Sequence, residues 1–468
     1  MFLDGLRPFR VAQDAPRVGK GLVAMIDIRW LTVFAVVLSC NVICQATDPL
    51  IPAFPQAVPT VKELLRRQPD KPETDKPAWK KWVPPGKALE LRECLEIGQA
   101  NQPTVKAAKA SLASGERGYL ALQNFSRAVE LISGDLPVRR LQAQRGIVAA
   151  SSEVLKAQHE VTYDVTRMFF TYVYATQQEQ TAQDIVEQME TFYRVAEDIL
   201  KAGVIDPKVK INNFTLYALD DAIGEIRRLR EKASLGRKQS LAALKEAMGV
   251  GQDFELVPAT KELPLMAGNV TLGKVTQMAL ARRTELVQAA VVLDVTRLEV
   301  CAQARLNHRK TVQTFAAGSD LHSKVLPTSL RNGEYRPGPV APEMPTILAG
   351  SRDDRVGRAL ALCDRQEAVY EKVLGLVRLE AEYAFLQWQS TAERVRDAKI
   401  RYDRGLKVLE ESRAAAAARQ DPELLVKNEA LAGKAQAEYL EAVQRLIEAL
   451  INLERVTGGG VRPDFPGR

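Results

Sequence analysis

Across residues 439–453 the apolar positions Tyr439, Val443, Leu446, Leu450 and Leu453 step by four, three, four and three. That spacing keeps a seam on one face of a helix packed against another helix. The same period recurs upstream. Residues 89–123 place Leu91, Leu95, Val105, Ala108 and Leu112 on one face, with a break at Pro103. From 137 to 202 the sequence has no further proline and no glycine cluster, which predicts one helix reaching about 100 Å at 1.5 Å per residue. The arm that follows, residues 207–248, spans about 60 Å on the same rise. The helix after Val270 is therefore expected to stack on that arm and make up the length.

The pattern is duplicated. Residues 89–123 return from Val270 onward, with Leu91 on Leu272, Ala100 on Ala281, Val105 on Leu286 and Ala108 on Ala289, an offset of 181. Further along, Phe169 falls on Phe385 and Tyr172 on Trp388, an offset of 216, and the Asp-Pro pairs at 206–207 and 421–422 continue that register at 215. Two copies of one unit follow from this: residues 89–249 and 270–460, joined by a linker at 250–269 and followed by a tail at 461–468. The second copy carries a long insert at 309–354.

Each Asp-Pro pair reads as the start of a return arm. Asp206 and Asp421 suit the N-cap, where a carboxylate accepts from free backbone N–H groups. Pro207 and Pro422 suit the first helical position, where no N–H is needed. Gly203 can close the preceding helix with a positive φ; the second copy has alanines and Arg419 there, so its turn is made differently. The expected fold is mainly α: duplicated long antiparallel helical hairpins in coiled-coil contact.

Composition refines this picture at the N-terminus. Residues 1–46 contain Arg29, an apolar run at 30–43 and small residues up to Ala46, the layout of a secretory signal with its start at Met1 or Met25. The run is too short to span a membrane comfortably. The stretch ending at Cys40 also reads as a lipoprotein box, which would place a lipid on Cys40. Residues 47–88 hold nine prolines among charges and read as an extended tether. The remaining Cys94, Cys301 and Cys363 have no C-x-x-C spacing, so neither a disulfide framework nor a zinc site is expected. His159, His308 and His322 read as surface residues. The net charge of +7 is spread along the chain, and its clusters, such as Arg227, Arg228 and Arg230, have acidic neighbours. These are solvated helix faces; no nucleic-acid partner is implied.

The opener "LELRECLEIGQANQPTVKAAKASL" and the hairpin arm "LKAGVIDPKVKINNFTLYALDDAIGEIRRLREKASLGRKQSLAALKEAMGV" resemble those of the TolC-type outer-membrane efflux proteins. The positions that carry the likeness are Asn101 to Pro103, Gly203, Asp206 and Leu244 to Gly249, and the second copy ends similarly at "ALINLERVTGG". The resemblance implies a homotrimer forming a hollow helical tunnel in the periplasm, closed above by a β-barrel in the outer membrane. It also implies a periplasmic adaptor and an inner-membrane pump as partners, docked at turns containing Gly203, Asp206, Pro207, Asp421 and Pro422. The barrel is expected to be reduced or absent. Residues 126–137 cannot hold two spanning strands of 9 to 11 residues each, and the insert at 309–354 carries five prolines.

No nucleophile with a base, phosphate loop or metal spacing occurs in the sequence, so no enzyme activity and no cofactor are expected. Phe169, Phe170, Tyr172 and Tyr174 read as helix packing, and Asp220 and Asp221 as solvated helix residues. Two functions remain from different classes: a passive conduit for efflux or type I secretion, or a periplasmic coiled-coil scaffold or adaptor-binding protein that has lost the pore.

Overall fold

In the computed structural model, the described residues are 87–201, 213–266, 268, 270–306, 351–419 and 422–468, all within one compact unit of residues 49–468. Nine helices and two short strands occur among them. In chain order these are β1 (Ala88–Leu89), α1 (Leu91–Asn101), α2 (Pro103–Gln123), α3 (Arg127–Ile132), α4 (Leu136–Lys201) and α5 (Asn213–Ala247). They continue with β2 (Val257–Pro258), α6 (Leu272–Arg282), α7 (Thr284–Arg305), α8 (Arg352–Arg419) and α9 (Pro422–Val456). The sequence from Leu136, with Pro137 in the first turn and no proline after it, forms a single helix of 66 residues, and its counterpart α8 runs for 68.

The helices stand in four neighbouring columns. α2 and α5 share the first, α4 is the second, α7 and α9 share the third, and α8 is the fourth. α4 packs against α2 and α5 on one flank and α7 and α9 on the other, while α8 packs against α7 and α9. α1 lies on α4 and its counterpart α6 on α8. The helix after Val270 thus does not extend α5, contrary to expectation. α2 continues the first column, and α7 is clamped between α4 and α8. The apolar pattern explains the choice. α7 carries Val287, Ala290, Val291, Leu293 and Val295, all buried, around more than one face, so it needs a neighbour on each side. On α2 only Val105, Ala108 and Glu116 are buried.

Within a column, two helices meet end to end at a glycine. α5 closes in a Schellman arrangement, with Gly249 N–H donating to Glu246 O at 2.8 Å and Val250 N–H to Lys245 O at 3.0 Å. Gly249 has φ +65°, and a Cβ there would sit 2.8 Å from Gln102 Cα. Gln102 is the N-cap of α2, and its amide donates to Glu246 O at 3.0 Å and Ala247 O at 3.2 Å. The negative end of one helix dipole therefore abuts the positive end of the next. The second half repeats the device. Gly458 (φ +56°) is pressed on Arg282, with Gly458 N–H to Arg455 O at 3.1 Å and Gly459 N–H to Glu454 O at 2.8 Å.

These junctions set the return arms in register at an offset of 209, Gly249 on Gly458. By that count Pro422 corresponds to Asn213, and the first copy has seven more residues between Phe169 and Gly249 than the second has between Phe385 and Gly458.

The main core gathers where α4 passes α1, α9 and the chain end. Phe169 and Phe170 are edge-on at 5.5 Å, and Phe170 meets Phe465 at 4.8 Å, with Leu89, Leu91, Met248, Ile447 and Ile451 around them. The last residues are tied in by Arg92 N–H to Gly467 O at 2.7 Å and Arg468 Nη1 to Glu454 Oε2 at 2.6 Å. Residues 250–266 are packed as well: Phe254 and Leu256 join the core, and β2 pairs in parallel with β1, Val257 beside Ala88 and Pro258 beside Leu89. The 3-4 seam of α9 holds, since Val443, Leu446, Leu450 and Leu453 are all buried and Tyr439 stacks on Tyr402 at 5.6 Å.

Candidate functional site: a helical wall with two open flanks

The columns form a wall whose joints add polar contacts to an apolar core. Between α4 and α9, Gln178 Nε2 donates to Ala437 O at 3.2 Å, Gln436 Nε2 to Thr181 Oγ1 at 3.3 Å and Gln444 Nε2 to Thr171 Oγ1 at 3.4 Å. Ile185 fills the space over Gly433, where no Cβ fits. Between α4 and α7, Arg139 holds Glu299 with both guanidinium Nη atoms, and Gln142, fully buried, donates to Val295 O at 3.1 Å and Glu299 Oε2 at 2.9 Å. Paired in this way, buried polar groups fix which helix faces meet. Asp294 on the same helix is less well served, with Arg145 at 3.6 Å. Burial lifts its pKa above the ordinary carboxylate range despite Arg145 and Arg297.

Three arginines of α5 tie it to α4 within the first hairpin, one at the exposed surface and two partly buried. Arg227 Nη2 donates to Glu190 Oε1 at 2.6 Å, Arg230 Nη1 to Gln183 Oε1 at 2.7 Å and Arg237 Nε to Glu179 Oε2 at 2.6 Å. Such pairs contribute about 0–1 kcal/mol each, so they guide register more than they stabilise it. Asp220 and Asp221 are exposed, as the sequence suggested.

A cavity of about 170 Å³ opens at the second column junction, lined among others by Lys156, His159, Tyr163, Arg283, Glu285 and Arg455. Arg283, the N-cap of α7, is 3% exposed. Its Nε donates to Glu285 Oε2 at 2.9 Å, and its Nη2 lies 2.8 Å from Glu380 Oε2 without hydrogen-bond alignment; Nη1 has no hydrogen-bond partner. Burial is the largest influence on Glu285 and disfavours its charge, yet the Arg283 charge, the Arg283 hydrogen bond and a backbone N–H together overcome it and hold Glu285 below the usual carboxylate range. His159 is half-buried here rather than on the surface, and burial lowers its pKa. The apolar run around it gave no hint, because the ions that meet it come from α7 and α9.

Cys94 and Cys301 are buried, Cys363 partly so, and burial pushes the Cys94 thiol up to about 12. No group of His, Cys, Asp and Glu suited to a metal occurs among the described residues. Gly203, Asp206, Pro207, Asp421 and Cys40 lie outside the described residues, as do His308, His322 and the insert to residue 350. Pro422 opens α9, the first helical position expected for it. The first connection, residues 124–135, holds the short helix α3. No described helix is long and apolar enough to cross a membrane.

No protein-family model matches the sequence, and no curated protein matches it. Solved structures do match the fold. The outer-membrane channel OprN is 15% identical at a TM-score of 0.61, over 80% of this chain and 91% of that one. The Campylobacter jejuni CmeC outer membrane channel is 12% identical at 0.61, over 90% and 97%. The open state of the Neisseria gonorrhoeae MtrE outer membrane channel is 15% identical at 0.59, over 80% and 89%. With long helices in duplicate, paired as hairpins and spliced at glycines, the chain has the fold of the TolC-type outer-membrane channels that its sequence resembles.

Proposed function

We propose that this chain is the tunnel component of a tripartite efflux or type I secretion system, a passive conduit whose energy comes from an inner-membrane pump. The observation that carries the reading is the wall itself. Its first and third columns are repeats of each other, as are its second and fourth, so each open flank is the counterpart of one that is covered inside the chain. Head-to-tail copies related by rotation close such a wall into a ring, and three copies give the homotrimer implied by the resemblance. The helices then lie in the periplasm and the ends of α2, α4, α7 and α8 near residues 124–135 and 307–351 face the outer membrane. The turns with Gly203, Asp206, Pro207, Asp421 and Pro422 form the periplasmic mouth and dock the adaptor. The export signal is removed near Ala46, or Cys40 takes a lipid; N-terminal sequencing of the envelope form is expected to begin near Thr47 or at a modified Cys40.

Electron microscopy of the protein purified in detergent tests the core of this reading. A trimeric tube supports it, and a compact monomer in sedimentation overturns it. A second reading, a periplasmic scaffold without a pore, is favoured by the helix α3 in the first connection, where a strand hairpin would otherwise be needed. A tube with no detergent band would decide for that alternative. Photo-cross-linkers at Val204 and Gln420 are expected to capture the adaptor; capture only near residues 126 or 309 would reverse the orientation.

A further inference from the structure

Each half of the chain is a template for what should cover the other. The long helices correspond at an offset of 216 and the return arms at 209, set by Phe169 on Phe385 and Gly249 on Gly458. Burial is shared on the side that faces the hairpin partner: Ala182 and Ala398 are both buried, and so are Leu244 and Leu453, Ile223 and Ala432.

Burial is not shared on the other side. Phe170 of α4 is fully buried, in the cluster that includes Ile447 and Ile451 of α9, whereas its counterpart Leu386 of α8 is 52% exposed. Thr181 is buried and Asp397 exposed. On the return arms, Gln444 is buried against α4 while its counterpart Leu235 is 56% exposed, and Gln436, bonded to Thr181, corresponds to the exposed Arg227. The exposed set is therefore the set whose partner column is missing.

We infer that a second copy of this chain lays its α8 along the free flank of α5 in the register of the internal α4–α9 joint, with Asp397 of one copy against Arg227 of the other. This rests on the ring assembly proposed above and adds its register and chemistry. The internal joint pairs two neutral groups, Gln436 and Thr181, at this height; the joint between copies pairs opposite charges. Arg227 already holds its own Glu190 at 2.6 Å, and a guanidinium with five donors in a fixed fork accepts a second carboxylate without releasing the first. The same transposition sets Arg401 over Gly224, as Ile185 sits over Gly433. Gly224 has open space around its Cα in the single chain, so the cleft is vacant until a neighbour enters. Asp397 lies 22 residues before the end of α8, roughly 33 Å along the helix from the turn, so the contact belongs to the wall and not to the mouth. A partly exposed ionic clasp also makes closure sensitive to salt, unlike the neutral internal joint.

The test places cysteines at both positions of the full chain, Arg227→Cys with Asp397→Cys, in envelope-extracted protein. Under mild oxidation the pair is expected to give reducible interchain species on a non-reducing gel, absent from either single variant. A trimer by light scattering that does not cross-link overturns the register and leaves the assembly standing; a monomeric unaltered chain overturns both. Charge variants test the chemistry separately. Arg227→Glu and Asp397→Arg are each expected to lower the assembled fraction several-fold at low salt, and the two together to restore it. Singles that assemble as well as the unaltered chain overturn the ionic pair.

Discussion

Replacing Gly249 with alanine puts a methyl group where the end of α5 meets the start of α2. Two costs add. The residue sits at φ +65°, where an L side chain costs about 1–2 kcal/mol. The new Cβ would lie 2.8 Å from Gln102 Cα and N and 2.9 Å from Asn101 C, all backbone atoms that no rotamer change can move, and overpacking of this kind costs about 1–3 kcal/mol. The sum is about 2–5 kcal/mol. If α2 slides away to relieve the clash, Gln102 gives up its bonds to Glu246 O and Ala247 O, again about 1 kcal/mol each. Denaturant titration followed by circular dichroism reads the change as a lower midpoint at unchanged slope. Gly357→Ala is the control, because that glycine lies inside α8 with nothing within 4 Å of a Cβ and should gain about 0.5–1 kcal/mol. Gly249→Ala within about 0.5 kcal/mol of the unaltered protein, or both variants shifting alike, would refute the splice argument.

Phe465→Ala should cost about 3–5 kcal/mol, as for a large aromatic removed from a core, and a thermal melt with no shift would show the chain end to be dispensable. Glu285 has its pKa depressed in the fold, so its contribution is present above the ordinary carboxylate range and is lost as pH falls through the depressed value; Glu285→Gln is expected to remove that part of the acid sensitivity in melts taken across pH 2 to 6, roughly the span in which carboxylates titrate. Asp294 has the opposite sign: its pKa is raised, so it weakens the fold as pH rises through that raised value, and Asp294→Asn should melt no lower than the unaltered protein at neutral pH. Cys94, buried with its thiol at about 12, should resist a thiol-specific reagent in the native protein and react on unfolding; rapid native labelling would contradict the packing around it.

Helix identity was legible in the sequence because it depends on local pattern. The stretch after Pro137 has no further proline and no clustered glycine and became a single helix, and the 3-4 steps from Tyr439 to Leu453 became a buried seam. Partnership was harder to read. The period of α7 says that its faces are buried but not by what, and the expectation that it would extend α5 failed against α8, some 60 residues later in sequence. The same limit hid the ionic cavity at Arg283, whose lining comes from α4, α7 and α9, and the burial of Phe465, a lone aromatic in a segment of proline and glycine. A single offset near 215 also hid a difference between the copies: with the glycine junctions aligned, the first holds seven more residues between Phe169 and Gly249 than the second holds between Phe385 and Gly458. The residues proposed for the mouth, Gly203, Asp206, Pro207 and Asp421, lie outside the described residues.

The spliced columns have a mechanical consequence. α4 and α8 are continuous struts, whereas each column beside them is a pair of rods butted at a glycine, so elastic compliance is concentrated at two joints at similar height. The joints are not equally stiff. The first is bridged by a single glutamine amide reaching two carbonyls; the second is tied from the side by Glu380 of α8, which faces Arg283 at the start of α7 and Arg455 near the end of α9 and cannot keep both if the rods part. Under a load that twists the wall, α5 would yield before α9, and the two hairpins of one chain would bend as a soft and a stiff spring.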